Sequence, residues 1–149
     1  MALLLVLSGC GEKEEPATTG PVVQQTTTGT ETTTTSTTGQ TDQQLVAAAA
    51  TGFLTSANAA AVCNTGVTEA LIRTAYGDRA GCLAARMPQS LAQSAQLSDV
   101  QVGQGTATLA ANARGGTYGS GQQVRMTLVR DGTGNWRVDS VQSNVPVGP

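Results

Sequence analysis

A chain of 149 residues with a net charge of −2 and no histidine has room for one domain of ordinary size. Aromatic residues are only 3% of it and its arginines are scattered singly, so the clustered basic footprint with stacking rings that a nucleic-acid binder needs is missing. Without histidine, a mixed Cys/His metal site and a Cys–His nucleophile are excluded, and no cofactor is implied.

The chain opens on an apolar run that ends in Leu7-Ser8-Gly9-Cys10. An aliphatic residue and two small ones before a cysteine resemble the bacterial lipobox. In that signal the cysteine is acylated with diacylglycerol and the chain is cut just before it. The resemblance makes residues 1–10 a signal segment, Cys10 the lipidation site and the bilayer its partner, because two or three acyl chains anchor stably. The start departs from a secretory signal: it has no Lys or Arg, and the apolar run is only Leu3 to Leu7. Either the true start lies upstream, or the stretch is a frayed hydrophobic terminus. The segment after Cys10 favours the lipobox. Residues 11–41 begin with Glu12, Lys13, Glu14 and Glu15, and residues 17–41 are about half threonine, with only Val22 and Val23 to bury. Such a segment cannot offset the entropy of ordering, and it is expected to be a disordered tether whose ends lie about 30 Å apart. No stretch approaches the ~20 apolar residues of a spanning helix. An anchored, extracytoplasmic chain is therefore expected.

The folded domain is expected over residues 42–149, where seven arginines stand against six acids. Thr41-Asp42-Gln43-Gln44 is a capping box, and Leu45, Ala48, Ala49, Gly52 and Phe53 recur at helical spacing to about Ser56. Asn58 to Cys63 reads as a short helix or turn. Thr68 caps a third helix, with Leu71, Ile72 and Ala75 on one face. Asp78 caps a fourth, which carries Cys82 and Leu83 inward to Arg86 before Pro88 stops it.

Cys63 and Cys82 remain once Cys10 is given to lipid. In an oxidising compartment the two are expected to pair. In a reducing one they would be buried thiols.

From there the period changes to two. Val100 and Val102, then Ala107, Leu109 and Ala111, then Val124, Met126 and Leu128, then Trp136 and Val138 alternate with polar neighbours. Gln104-Gly105 and Asp131-Gly132-Thr133-Gly134 mark turns, and Arg114 to Gly121 reads as an exposed glycine-rich loop. Four strands on short loops pair antiparallel, and their apolar face needs the helices as cover. The expected fold is α+β, with N-terminal helices packed on a curved four-stranded antiparallel sheet.

Three helices followed by a meander that ends in "LVRDGTGNWRVDSVQ" resemble the nuclear-transport-factor-2-like fold, a cone-shaped roll. The group it is most similar to is the small exported lipoproteins of that superfamily. The resemblance spans about residues 42–143 and implies a cone that often encloses a pocket. Here the lining of that pocket, or of a solid core in its place, would be Phe53, Leu54, Leu71, Ile72, Leu83, Met126, Leu128 and Trp136. Some relatives are isomerases or dehydratases with a buried Asp or an Asp/His pair. Without histidine only a lone carboxylate is left. Glu69 and Asp78 suit helix starts, and Asp99 and Asp139 fall on the outward phase of their strands. The reading is therefore a non-catalytic module that binds an envelope protein or a small apolar ligand, with a lone-carboxylate isomerase or lyase-like enzyme as the alternative.

Overall fold

The computed structural model describes residues 40–145. Cys10 and nearly all of the threonine-rich stretch lie outside them. The described chain is α+β: helices, then a four-stranded antiparallel meander of order β1-β2-β3-β4, with the helices packed against one face of an open sheet.

Helix α1 spans Asp42–Thr55 and starts as its sequence dictates. Thr41 Oγ1 accepts the Gln44 N–H at 3.3 Å, and Gln44 Oε1 accepts the Thr41 N–H at 3.0 Å. Its buried row is Val46, Ala50, Phe53 and Leu54. The expected face, centred on Ala48 and Ala49, is thus rotated away from the sheet. Ala48 is exposed and Ala49 half-buried. In an alanine-rich helix several phases are nearly equal in hydropathy, and the larger Val46 and Leu54 decide which one is buried.

Two short helices follow, each beginning on a side-chain cap and relaxing into a wider π-helical turn. Asn58 caps α2 (Ala59–Ala61), which runs into the turn Val62–Gly66. Thr68 caps α3 (Glu69–Leu71), which runs into the turn Ile72–Tyr76. Gly77, at φ +78°, lets the chain reverse, and Asp78 then caps α4 (Arg79–Ala85) through the Gly81 N–H at 2.7 Å. Cys82 points inward on α4, but Leu83 does not: it is 41% exposed. One helical step turns a side chain by about 100°. With Cys82 committed to the interior, its neighbour is carried off that face.

The sheet comprises β1 (Ser94–Val102), β2 (Thr106–Arg114), β3 (Gln122–Arg130) and β4 (Trp136–Ser143). Ala107, Leu109, Ala111, Val124, Met126, Leu128, Trp136 and Val138 are buried as the alternation requires. Both outer strands break that alternation with a bulge. On β1, Asp99 and Val100 together face Leu109, between the pairs Ser98–Ala110 and Gln101–Thr108. On β4, Asp139 is inserted between Val138, opposite Leu128, and Ser140, opposite Thr127. These bulges bend the sheet and place a charge on each edge, which discourages pairing with another chain. They also change the phase. Val102 ends 37% exposed rather than inward, and Val141, not position 140, returns to the core side.

The Arg114–Gly121 stretch is not simply an exposed loop. It contains the 3-10 turn Gly116–Tyr118, and Tyr118 is buried. Gly116, at φ +54°, brings its backbone against the carbonyl of Leu91, where a Cβ would collide.

Candidate functional site

Seven of the eight residues expected to line a pocket or core lie in one buried cluster: Phe53, Leu54, Leu71, Ile72, Met126, Leu128 and Trp136. They fill the space between helices and sheet. The eighth, Leu83, is outside it. Open space lies instead at the edge of this core, in a cleft of about 540 Å³. Only Phe53 and Trp136 of the expected residues reach it.

Three elements form the cleft. The last turns of α1 supply Ala49, Gly52, Phe53 and Ser56. The segment of α2 and the π-helical turn that continues it supplies Ala61, Val62, Thr65 and Gly66. The start of β4 supplies Asn135, Trp136 and Arg137. The lining is two aromatic rings among small residues, with hydroxyl, amide and guanidinium groups, and it includes no carboxylate. Trp136 is 6% exposed, and its Nε1 is buried without a hydrogen-bond partner.

Three arginines hold this geometry. Arg130 lies over the Trp136 ring, 5.9 Å from its centroid, and pairs with Asp42 Oδ2 at 3.3 Å, joining the start of α1 to the end of β3. Arg137 donates from Nε to Asp131 Oδ2 at 2.7 Å. The other Asp131 oxygen accepts the Thr133 hydroxyl and the N–H groups of Thr133 and Asn135. The Thr133 hydroxyl and the Asn135 N–H, helped by Arg137, hold the Asp131 carboxyl well below the usual carboxylate range. The turn read in the sequence as a hairpin signal is thus also the clamp for Arg137. The third is Arg86, whose Nη2 donates to the carbonyl oxygens of Phe53 at 2.7 Å and Ser56 at 2.9 Å, ending α1.

The opposite wall is fixed from α4. Cys63 and Cys82 form a disulfide with a Cα–Cα separation of 6.0 Å, and both are buried. Arg79 adds a bond to the Cys63 carbonyl oxygen at 2.9 Å and one to Asn64 Oδ1 at 3.1 Å, and it pairs with Glu69.

The carboxylates weighed as possible bases are placed elsewhere. Glu69 pairs with Arg79, and Asp78 is a cap. Asp139 accepts the Thr68 hydroxyl at 2.8 Å. Asp99, at φ +52°, lines a second cavity of about 350 Å³ on the outer face of the sheet, beside Gln101, Thr108, Arg125 and Thr127. Its exposure comes from the bulge, not from regular alternation. Among the described residues, no cluster of three or more metal-ligating side chains occurs, and no helix is long and apolar enough to cross a membrane.

Sequence reasoning missed Ser56, Thr65, Asn135 and Arg137, small or polar residues that only the fold brings together. It also missed Arg86, which carries no local sign of burial. No protein-family model matches the chain, and comparison with curated proteins and with solved structures gives no match.

Proposed function

We propose that this chain is an extracytoplasmic lipoprotein, acylated at Cys10 and tethered to the bilayer by residues 11–41. On this reading its domain is a non-catalytic binding module of the nuclear-transport-factor-2-like kind. The observation that carries it is the cleft at Phe53 and Trp136, a concave site with an aromatic floor, a few convergent polar groups and no carboxylate in its lining. That lining favours binding of an apolar ligand over proton abstraction, which needs a base within reach of the substrate. The Cys63–Cys82 disulfide supports export, since such bonds persist in oxidising compartments. The order of helices followed by a four-stranded meander supports the family resemblance.

Native mass spectrometry of the full chain, released gently from the envelope of its own cell, tests this. The expected mass carries acyl chains and a small apolar molecule. Gly52→Leu supplies the control, because Gly52 lines the cleft and a Cβ added there meets nothing within 4 Å, so that the larger side chain should occupy the cleft. The variant should keep the acyl mass and lose the small molecule. An unmodified Cys10 would overturn the anchor, and a bound molecule that survives Gly52→Leu would overturn the cleft as its seat.

A further inference from the structure

Three guanidinium groups stand at the walls of the Phe53–Trp136 cleft. Arg137 lines it. Arg130 lies 5.9 Å from the centroid of the Trp136 ring. Arg86 lies 5.5 Å from the centroid of the Phe53 ring and donates to the carbonyl oxygens of Phe53 at 2.7 Å and Ser56 at 2.9 Å, both lining residues. Asp42 answers Arg130, and Asp131 answers Arg137. Arg86 takes part in none of the ion pairs among the described residues. It is 7% exposed, and a guanidinium keeps its proton in a protein. A full positive charge therefore sits behind the α1 wall of the cleft, where salt screens it little. The carbonyls that it binds bring only the partial negative charge of a helix end.

The polar groups of the lining differ in what they have left to donate. The Thr65 hydroxyl is given to the Ala61 carbonyl oxygen at 2.7 Å, and Asn135 Nδ2 donates to Thr133 Oγ1 at 2.9 Å. Ser56 Oγ accepts the Asn58 N–H at 3.2 Å, and its own proton goes to no described residue. Arg137 uses Nε on Asp131, while its Nη1 and Nη2 make no hydrogen bond to a described residue. The cleft thus joins apolar ring surface to donors that lack acceptors, with an uncompensated positive charge behind one wall and no carboxylate in the lining.

We propose that the ligand of this cleft is an amphiphile with an anionic head, a carboxylate held by the Nη groups of Arg137, its apolar body lying against Phe53 and Trp136. This rests on the reading of the cleft as a ligand seat. The two remaining guanidinium nitrogens suit a carboxylate through charge-assisted bonds. The Arg86 charge favours that head over a neutral or cationic one on the same chain.

Trp136 is the one tryptophan of the chain, so its fluorescence reports on the cleft. Titration of the purified full chain at pH 7 with octanoate, 1-octanol and octylamine compares three heads on one apolar chain. Octanoate is expected to bind about tenfold more tightly than 1-octanol, the difference between a charge-assisted and a neutral hydrogen bond, and octylamine more weakly than either. Arg137→Gln should lose most of the preference for octanoate and leave the affinity for 1-octanol unchanged. Gly52→Leu should abolish the response to all three. Equal binding of octanoate and 1-octanol would overturn the anionic head while leaving the cleft as a ligand seat, and a preference that Arg137→Gln retains in full would overturn Arg137 as its holder. No response to any of the three, or a response that survives Gly52→Leu, would overturn the cleft itself as the seat and this inference with it.

Discussion

The Arg86 guanidinium donates to the carbonyl oxygen of Phe53 at 2.7 Å while lying over the ring of the same residue, 5.5 Å from its centroid. A residue just past α4 thus fixes the end of α1, 33 positions earlier in the chain. The disulfide and Arg79 fix the π-helical turn on the other side of the cleft from the same short helix. A helix of seven residues has little stability of its own, so α4 acts as a brace only because it is tied at both ends. Arg86→Met should remove two charge-assisted bonds and leave the Phe53 and Ser56 carbonyls without donors. The buried charge goes with them, which offsets part of the loss. The net cost is expected at about 1–3 kcal/mol, read as a lower urea midpoint at unchanged slope.

Cys63 and Cys82 are separated by 19 positions, and closing a loop of that length stabilises by about 3 kcal/mol on the chain-entropy model. The double variant Cys63→Ala/Cys82→Ala should lose about that much in equilibrium unfolding. Thiol labelling of the native wild-type protein should find neither cysteine free. Labelling at either position would contradict the bond.

Trp136 sets two effects against each other. Truncation to alanine empties a buried site and should cost about 3–5 kcal/mol. Trp136→Phe also loses volume, but it removes the buried Nε1 that has no hydrogen-bond partner, and an unsatisfied group of that kind carries a penalty of about 1–3 kcal/mol. The two terms are of similar size. Trp136→Phe should therefore lie within about 1 kcal/mol of wild type in chemical denaturation, whereas Trp136→Ala should be far less stable. A large loss for both would mean that ring volume dominates and that the indole N–H is satisfied in solution.

The capping box at Thr41, the inward alternation of β2 and β3 and the hairpin turn at Asp131 are legible in the sequence because each follows from contacts within a few residues. The phase of α1 is not legible, since the alanines at Ala47 to Ala50 blur the stripe until the sheet selects Val46 and Ala50. The bulges at Asp99 and Asp139 escape for another reason. An inserted residue is visible only in the register with a partner strand, and that register is long-range. The expected lining is apolar and buried except at Leu83. That a cleft opens at its edge depends on where α1 ends and the π-helical turn begins, and both are set by Arg86 and the disulfide across the fold.

Asp131 gives a pH dependence whose sign can be worked out. Its carboxyl is held below the usual range in the folded state, by the Thr133 hydroxyl first, then by the Asn135 N–H, with Arg137 contributing. The unfolded chain returns it to an ordinary Asp value of about 3.9. As pH falls through that value, the unfolded state takes up a proton that the folded state still refuses, so unfolding is favoured. The stabilisation is thus complete above the unfolded pKa and is lost progressively as pH drops toward the folded one. Asp131→Asn cannot titrate and should flatten the fall of Tm between about pH 4 and pH 2, while lowering Tm at neutral pH through loss of the Arg137 pair. Melting curves of the two proteins across that range decide it. Parallel curves would mean that the clamp on Arg137 is already released in acid by another group, and that Asp131 does not carry the acid sensitivity of the cleft's β4 side.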